Sequence, residues 1–190
     1  MGEELHPDDI ADIQKKIREA GEDDEDVYSI ETPFGGLRPI ENFRISKDDY
    51  YLGIAAAVAK RSTCLKRRYG AVIVKNDEII ATGYNGNPRG TINCFDVGKC
   101  NRLDKPHNSG DYSDCFSVHA EQNAMISASR SEMIGSTLYL YGEQPIRIHL
   151  VPASNYTQGF WQPIIATPCP ICSRMIKNAG IIRVVSKREV

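Results

Sequence analysis

The sequence predicts an α/β domain of three layers, α/β/α, with helices on both faces of a mixed central sheet. Two observations predict it. Short β-branched runs at Gly70 to Val74, Ile79 to Tyr84, Thr137 to Tyr141 and Ile181 to Val185 alternate with helix-forming segments. The chain has 190 residues, 41% apolar and 25% charged, which is enough for one real core plus some decoration.

Residues 1–45 read as an N-terminal extension. Asp8 to Ala20 places Ile10, Ile13 and Ile17 at helical spacing and stops at Gly21. The acidic run Glu22-Asp23-Asp24-Glu25-Asp26 reads as solvated linker, and Thr32-Pro33-Phe34-Gly35-Gly36 with Pro39 as irregular structure. Nothing in this segment suggests chemistry.

The domain proper, 46–190, opens on Ser46-Lys47-Asp48-Asp49, which has the form of a capping box. The helix it starts is expected to run to about Lys60. Gly70 to Val74 and Ile79 to Tyr84 are strands joined by Asn76-Asp77, a hairpin signal. His119 to about Arg130, rich in Ala, Met and Glu, reads as a helix. Thr137 to Tyr141 is a strand, Cys169 to Asn178 a helix, and Ile181 to Val185 a closing strand after the Ala179-Gly180 stop. Gly86 to Phe116 and Gly142 to Thr167 fit no regular element, and loops of that length are usually functional.

The net charge of -2 argues against a polynucleotide partner, which calls for a basic face. Lys60-Arg61 and Lys66-Arg67-Arg68 form a compact basic cluster, enough for a small phosphorylated ligand. A solvated surface run accounts for any one of them equally well. The longest apolar stretches, such as Ile54 to Ala59, are too short to span a membrane. The start, Met1-Gly2-Glu3-Glu4-Leu5, lacks a hydrophobic signal core, so a cytoplasmic protein with reduced cysteines is expected.

Chemistry concentrates in His119-Ala120-Glu121 and Pro168-Cys169-Pro170-Ile171-Cys172. One imidazole and two thiolates make a three-ligand zinc site with an open fourth position, the mark of catalytic zinc. Cys169 and Cys172 are three apart at a helix start, where the dipole favours thiolates and proline fits the first turn. Glu121 is placed to move protons rather than to bind metal. A lone Cys-x-x-Cys also fits a redox pair or a zinc knuckle. A lone His119 also fits a core histidine, and Glu121 an ordinary acid at a helix N-terminus.

Together the two halves form the histidine-x-glutamate plus proline-cysteine-x-x-cysteine signature of zinc deaminases acting on cytosine or adenine. From roughly Ser46 to Val185 the chain resembles the deoxycytidylate deaminases, within the cytidine deaminase-like fold. The resemblance lies in Gly70-Ala71-Val72-Ile73-Val74, Gly83-Tyr84-Asn85-Gly86, His119 to Ala124, and Pro168 to Ile176 continuing into Asn178-Ala179-Gly180-Ile181. It implies hydrolysis of dCMP to dUMP and ammonia, feeding thymidylate synthesis. His119, Cys169 and Cys172 then match the zinc ligands and Glu121 the proton shuttle. Asn85 matches an asparagine that touches the sugar, with an Asx turn as its competing reading. The Ala71 and Ala120 backbones match groups lining the base, and Lys66 and Arg68 are candidates for the phosphate.

The resemblance also implies a homo-oligomer, hexamer or dimer, activated by dCTP and inhibited by dTTP. Gly83, Tyr84 and Gly86 would contribute to that regulatory site, and Mg2+ would accompany the effector nucleotide. Arg130 matches an arginine that handles nucleotide in relatives. In one continuous helix it would stand about 16 Å along the axis from His119, toward a neighbouring nucleotide or subunit. A partner for the helix C-terminal dipole is the competing reading.

Cys64, Cys94, Cys100 and Cys115 flank a region poor in apolar residues, where a second, structural zinc would contribute folding energy. By the resemblance Cys64 and Cys94 match such ligands, and His107 could replace one cysteine. Buried free thiols compete with this reading. The chain departs from the family at Gly142 to Thr167, longer than usual, where Val151-Pro152, Asn155-Tyr156 and Gly159-Phe160-Trp161 suggest an ordered loop or hairpin close to the active site. It departs again at Tyr69, where a small apolar residue is usual. Rival functions are deamination of dCTP or a modified dCMP, nucleic-acid editing, and a non-enzymatic zinc module.

Overall fold

The computed structural model describes residues 30–31, 37–38, 44–106, 113–146 and 160–186. Contacts divide the chain into two units, Met1–Arg44 and Ile45–Val190. In the first, Ile30–Glu31 (β1) pairs antiparallel with Leu37–Arg38 (β2). The helix expected over Asp8 to Ala20 lies outside the described residues.

In the second unit Ser46 caps the helix Lys47–Ala59 (α1). Its Oγ accepts the Asp49 N–H at 3.1 Å and donates to the Asp49 carboxylate at 2.6 Å. Arg68–Lys75 (β3) and Glu78–Tyr84 (β4) form a hairpin whose two turn residues, Asn76 and Asp77, have φ of 51° and 69°. Positive φ at both positions suits the right-handed twist of the paired strands. Thr137–Pro145 (β5) runs antiparallel to β3 on its other side. Along the outer edge of β5, Arg183–Ser186 (β7) pairs in parallel with residues 137–140. Trp161–Ile164 (β6) pairs antiparallel with residues 142–145. The sheet is therefore mixed.

Residue parity in β3 sorts the layers. Val72 and Val74 face α1 and pack with Tyr51, Ala55 and Tyr139. Ala71 and Ile73 face the opposite way, toward Ala120–Ile126 (α3) and Pro170–Ala179 (α5), with Leu138 and Leu140. Gly70 lets α1 lie directly on the strand, since a Cβ there would overlap the Ala55 carbonyl. Among the described residues no helix is long and apolar enough to cross a membrane.

Three expectations need correction. The helix from His119 toward Arg130 ends at Ile126. Ser129 caps a separate short helix, Arg130–Met133 (α4), through reciprocal bonds with Glu132. The strand from Thr137 runs on to Pro145 instead of ending at Tyr141, while the hairpin suggested within the Gly142 to Thr167 stretch is formed by its pairing with β6. Gly86 to Phe116 contains a short helix, Cys94–Val97 (α2). Residues 147–159 lie outside the described residues.

Candidate metal centre and its cavity

The N-termini of α3 and α5 meet beside the sheet, so that their capping residues, His119 and Cys169, face each other. The His119 backbone N–H donates to Gln122 Oε1 at 2.9 Å, which fixes the entry into α3. Pro170 supplies the first residue of α5 without an orphan N–H, and Cys169 Sγ accepts the Cys172 N–H at 3.4 Å. Gly180, with φ of 84°, closes the helix.

His119 Nδ1 lies 3.5 Å from the sulfur of Cys169 and 3.5 Å from that of Cys172. Tetrahedral zinc with its usual bond lengths to nitrogen and sulfur separates two such ligands by about 3.6 Å. Donor chemistry and spacing both fit zinc. Among the described residues this is the only group bringing three such ligand atoms within 4.8 Å of one another. Glu121, one residue into α3, is 5% exposed and aimed at the same place. Burial pushes its carboxyl upward, opposed by its own backbone N–H and by His119.

A cavity of about 750 Å³, its open mouth included, lies over this group. His119, Ala120, Glu121, Thr167 and Cys169 are among the residues that line it. Lys66, Arg67 and Arg102 bring cations to the same wall, and Tyr69, whose hydroxyl lies 3.4 Å from Arg67 Nη1, and Asn85 line it too.

Sequence-derived candidates divide here. Ala120 lines the cavity, whereas Ala71 is fully buried in the core and does not. The Asn85 side chain supports the backbone: its Oδ1 accepts the Tyr69 N–H and the Ser62 hydroxyl, each at 2.7 Å, and its Nδ2 donates to the Arg67 carbonyl at 3.0 Å. One amide hydrogen is left for a ligand. Lys66 donates to the carbonyls of Arg102, at 2.6 Å, and Lys105, so it ties down the loop that carries Arg102. Burial lowers its pKa.

Arg68 is not part of the cavity wall. It shares the α1-facing parity of Gly70, with Glu143 at 3.4 Å and the Trp161 ring at 3.8 Å. Sequence reasoning placed Arg67 in the basic cluster but chose Lys66 and Arg68 for the phosphate, and it passed over Arg102 and the wall role of Tyr69. Tyr69 has the parity of Ala71 and could have been found; Arg102 comes from an irregular loop with no local signal.

Gly83 packs against α3, and Gly86 bridges Val118 with Thr63 Oγ1 2.6 Å from where its Cβ would lie. Tyr84 is 38% exposed. Arg130 starts α4, so its distance from His119 is not that of one continuous helix. Its guanidinium reaches the Asn178 carbonyl at the end of α5, at 3.5 Å. Cys64, Cys100 and Cys115 line the main cavity, while Cys94, Cys100 and Cys115 line a second one beside it. The four thiols are neighbours without reaching the ligand spacing of the first group. His107 lies outside the described residues.

Residues 45–187 match the family model of the cytidine and deoxycytidylate deaminase zinc-binding region. The chain is 37% identical over 146 residues to the deoxycytidylate deaminase of Mycobacterium phage D29, spanning 75% of this chain and 94% of that one. It is 38% identical over 144 residues to the deoxycytidylate deaminase of Schizosaccharomyces pombe, and spans 37% of that protein's length. A crystal structure of the dCMP deaminase of cyanophage S-TIM5 with dCMP and dUMP superposes with a TM-score of 0.50. It is 27% identical, over 75% of this chain and 83% of that one.

Proposed function

The chain belongs to the cytidine and deoxycytidylate deaminase family, and from that premise we propose that it hydrolyses dCMP to dUMP and ammonia. The observation that carries the reading is the buried Glu121 carboxyl beside His119, Cys169 and Cys172, in the wall of a cavity that cationic side chains also line. The relatives named for dCMP support the substrate.

His119, Cys169 and Cys172 would hold zinc, which supplies an acidified water as nucleophile when bound. Glu121 would take a proton from the attacking water, pass it to the ring nitrogen beside the amino-bearing carbon, and assist the departing ammonia. Arg67 and Arg102 recognise the phosphate, and Lys66 acts on it through the loop it holds. We assign the remaining amide hydrogen of Asn85 to the sugar.

The four neighbouring thiols Cys64, Cys94, Cys100 and Cys115 belong to the same proposal as ligands of a second, structural zinc. Metal analysis should give two zinc per chain, falling to one in Cys94→Ser; one zinc in the native chain rejects the second site. Packing accounts for Gly83 and Gly86, so an effector nucleotide would have Tyr84 and Arg130, both at the surface, to address.

Ammonia release from dCMP, dCTP, cytidine and single-stranded DNA tests the whole reading. Turnover of dCMP is expected to dominate and to fall by at least about a hundredfold in Glu121→Ala. Activity on DNA without activity on dCMP overturns the substrate, and full activity in Glu121→Ala overturns the mechanism.

A further inference from the structure

Tyr69 lines the cavity, and the protein holds it there from several sides. Strand parity points its side chain to the face of the sheet that carries the metal group. Asn85 Oδ1 fixes its backbone N–H at 2.7 Å. The backbone of Gly142 lies against its ring so closely that a Cβ there would be 2.7 Å from Tyr69 Cε1. Arg67 Nη1 reaches its hydroxyl at 3.4 Å. The ring thus shares one cavity wall with Glu121 and with Arg67.

From this placement, and resting on the dCMP reading above, we infer that Tyr69 is the wall that rejects a ribose 2′-hydroxyl. A nucleotide with its base at Glu121 and its phosphate at Arg67 and Arg102 must lay its sugar across this ring. Deoxyribose presents a CH₂ edge that an aromatic face accommodates. A ribose would press an added hydroxyl onto the ring carbons of Tyr69, which themselves offer it no hydrogen bond. Because the ring is backed by the β5–β6 hairpin, it cannot retreat. A wall of this kind discriminates against an added hydroxyl by about 10- to 100-fold.

The test measures kcat/KM for dCMP and for CMP in the zinc-loaded full chain, in the native protein and in Tyr69→Val, Tyr69→Leu and Tyr69→Phe. The native chain should prefer dCMP by about tenfold or more. Either aliphatic variant should shift the ratio toward CMP by about tenfold, and Tyr69→Phe, which keeps the ring, should preserve it within about threefold. If one aliphatic variant fails to fold, the other carries the comparison. If neither folds, the ratio in Tyr69→Phe and the inhibition constant of CMP against dCMP in the native chain decide. A ratio that stays put in the folded aliphatic variants overturns the wall. So does a ratio that collapses in Tyr69→Phe, which would assign discrimination to the hydroxyl, or CMP inhibition as tight as dCMP binding. A native chain that deaminates dCMP and CMP equally rejects this inference and leaves the deaminase reading intact. A native chain inactive on both rejects that reading itself.

Discussion

Gly83 and Ala120 lie so close that a Cβ on the glycine would overlap the alanine carbonyl oxygen. That contact seats α3 on β4, and the first residues of α3 carry His119 and Glu121. Gly83→Ala therefore has to displace the helix that presents both groups. Overpacking against backbone costs about 1–3 kcal/mol. The melting temperature should drop by about 4–8 °C, as expected for a loss near 2 kcal/mol in a domain of this size. Calorimetry checks it; an unchanged melting temperature would mean that the helix is free to shift.

Lys66→Met removes the ammonium that holds the Arg102 and Lys105 carbonyls. The Cys100 to Pro106 wall should then loosen, with Arg102 carried out of register. The expected result is a KM for dCMP raised by about tenfold with kcat within about threefold, since only uniform binding is lost. A fall in kcat at constant KM would place Lys66 in the chemistry itself.

Local signals account for much of what could be read before the fold was known. Ser46 with Asp49, Asn76-Asp77 and Ala179-Gly180 mark element boundaries through chemistry that acts within a few residues. The break after Ile126 was also written locally, in Ser129 and Glu132, but the helix-forming Ala, Met and Glu around it masked the cap. What the sequence could not carry is register. Arg67 and Arg68 are neighbours of one type, and only the pairing of β3 with β5 turns one to the cavity and the other to Trp161. Arg102 reaches the site because an ammonium 36 positions earlier binds its carbonyl, a contact that no spacing rule encodes.

The Tyr51 hydroxyl donates to Asp77 Oδ1 at 2.7 Å and to the Asp77 carbonyl at 2.9 Å, tying α1 to the β3–β4 turn. The hydrogen bond to Asp77, reinforced by burial, raises its pKa to about 12 from an ordinary value of 10.0. The folded chain thus favours the neutral phenol more than the unfolded chain does. The stability this contributes is fully present below pH 10 and is lost as pH rises through 12. The difference in melting temperature between the native chain and Tyr51→Phe should shrink from pH 8 toward the alkaline limit. A difference that stays constant across this range would show that the phenol titrates alike in both states.

Metal loading gives the most direct reading of the His119, Cys169 and Cys172 group. Burial, with the Glu121 carboxylate beside it, pushes the Cys172 thiol well above the usual thiol range. In the metal-free chain this sulfur therefore keeps its proton at neutral pH, and zinc must displace it to bind. The apparent zinc affinity should rise by about tenfold or more per pH unit between about pH 7 and 9, as for release of at least one proton. Protons released on adding zinc to the stripped chain, read with an indicator dye in weak buffer, give the same number independently. Cys172→Ser should bind zinc more weakly and with a shallower pH dependence, because the displaced thiol proton is gone. A pH-independent affinity in the native chain would mean that zinc binds elsewhere, and activity that survives chelation would separate the metal from the chemistry altogether.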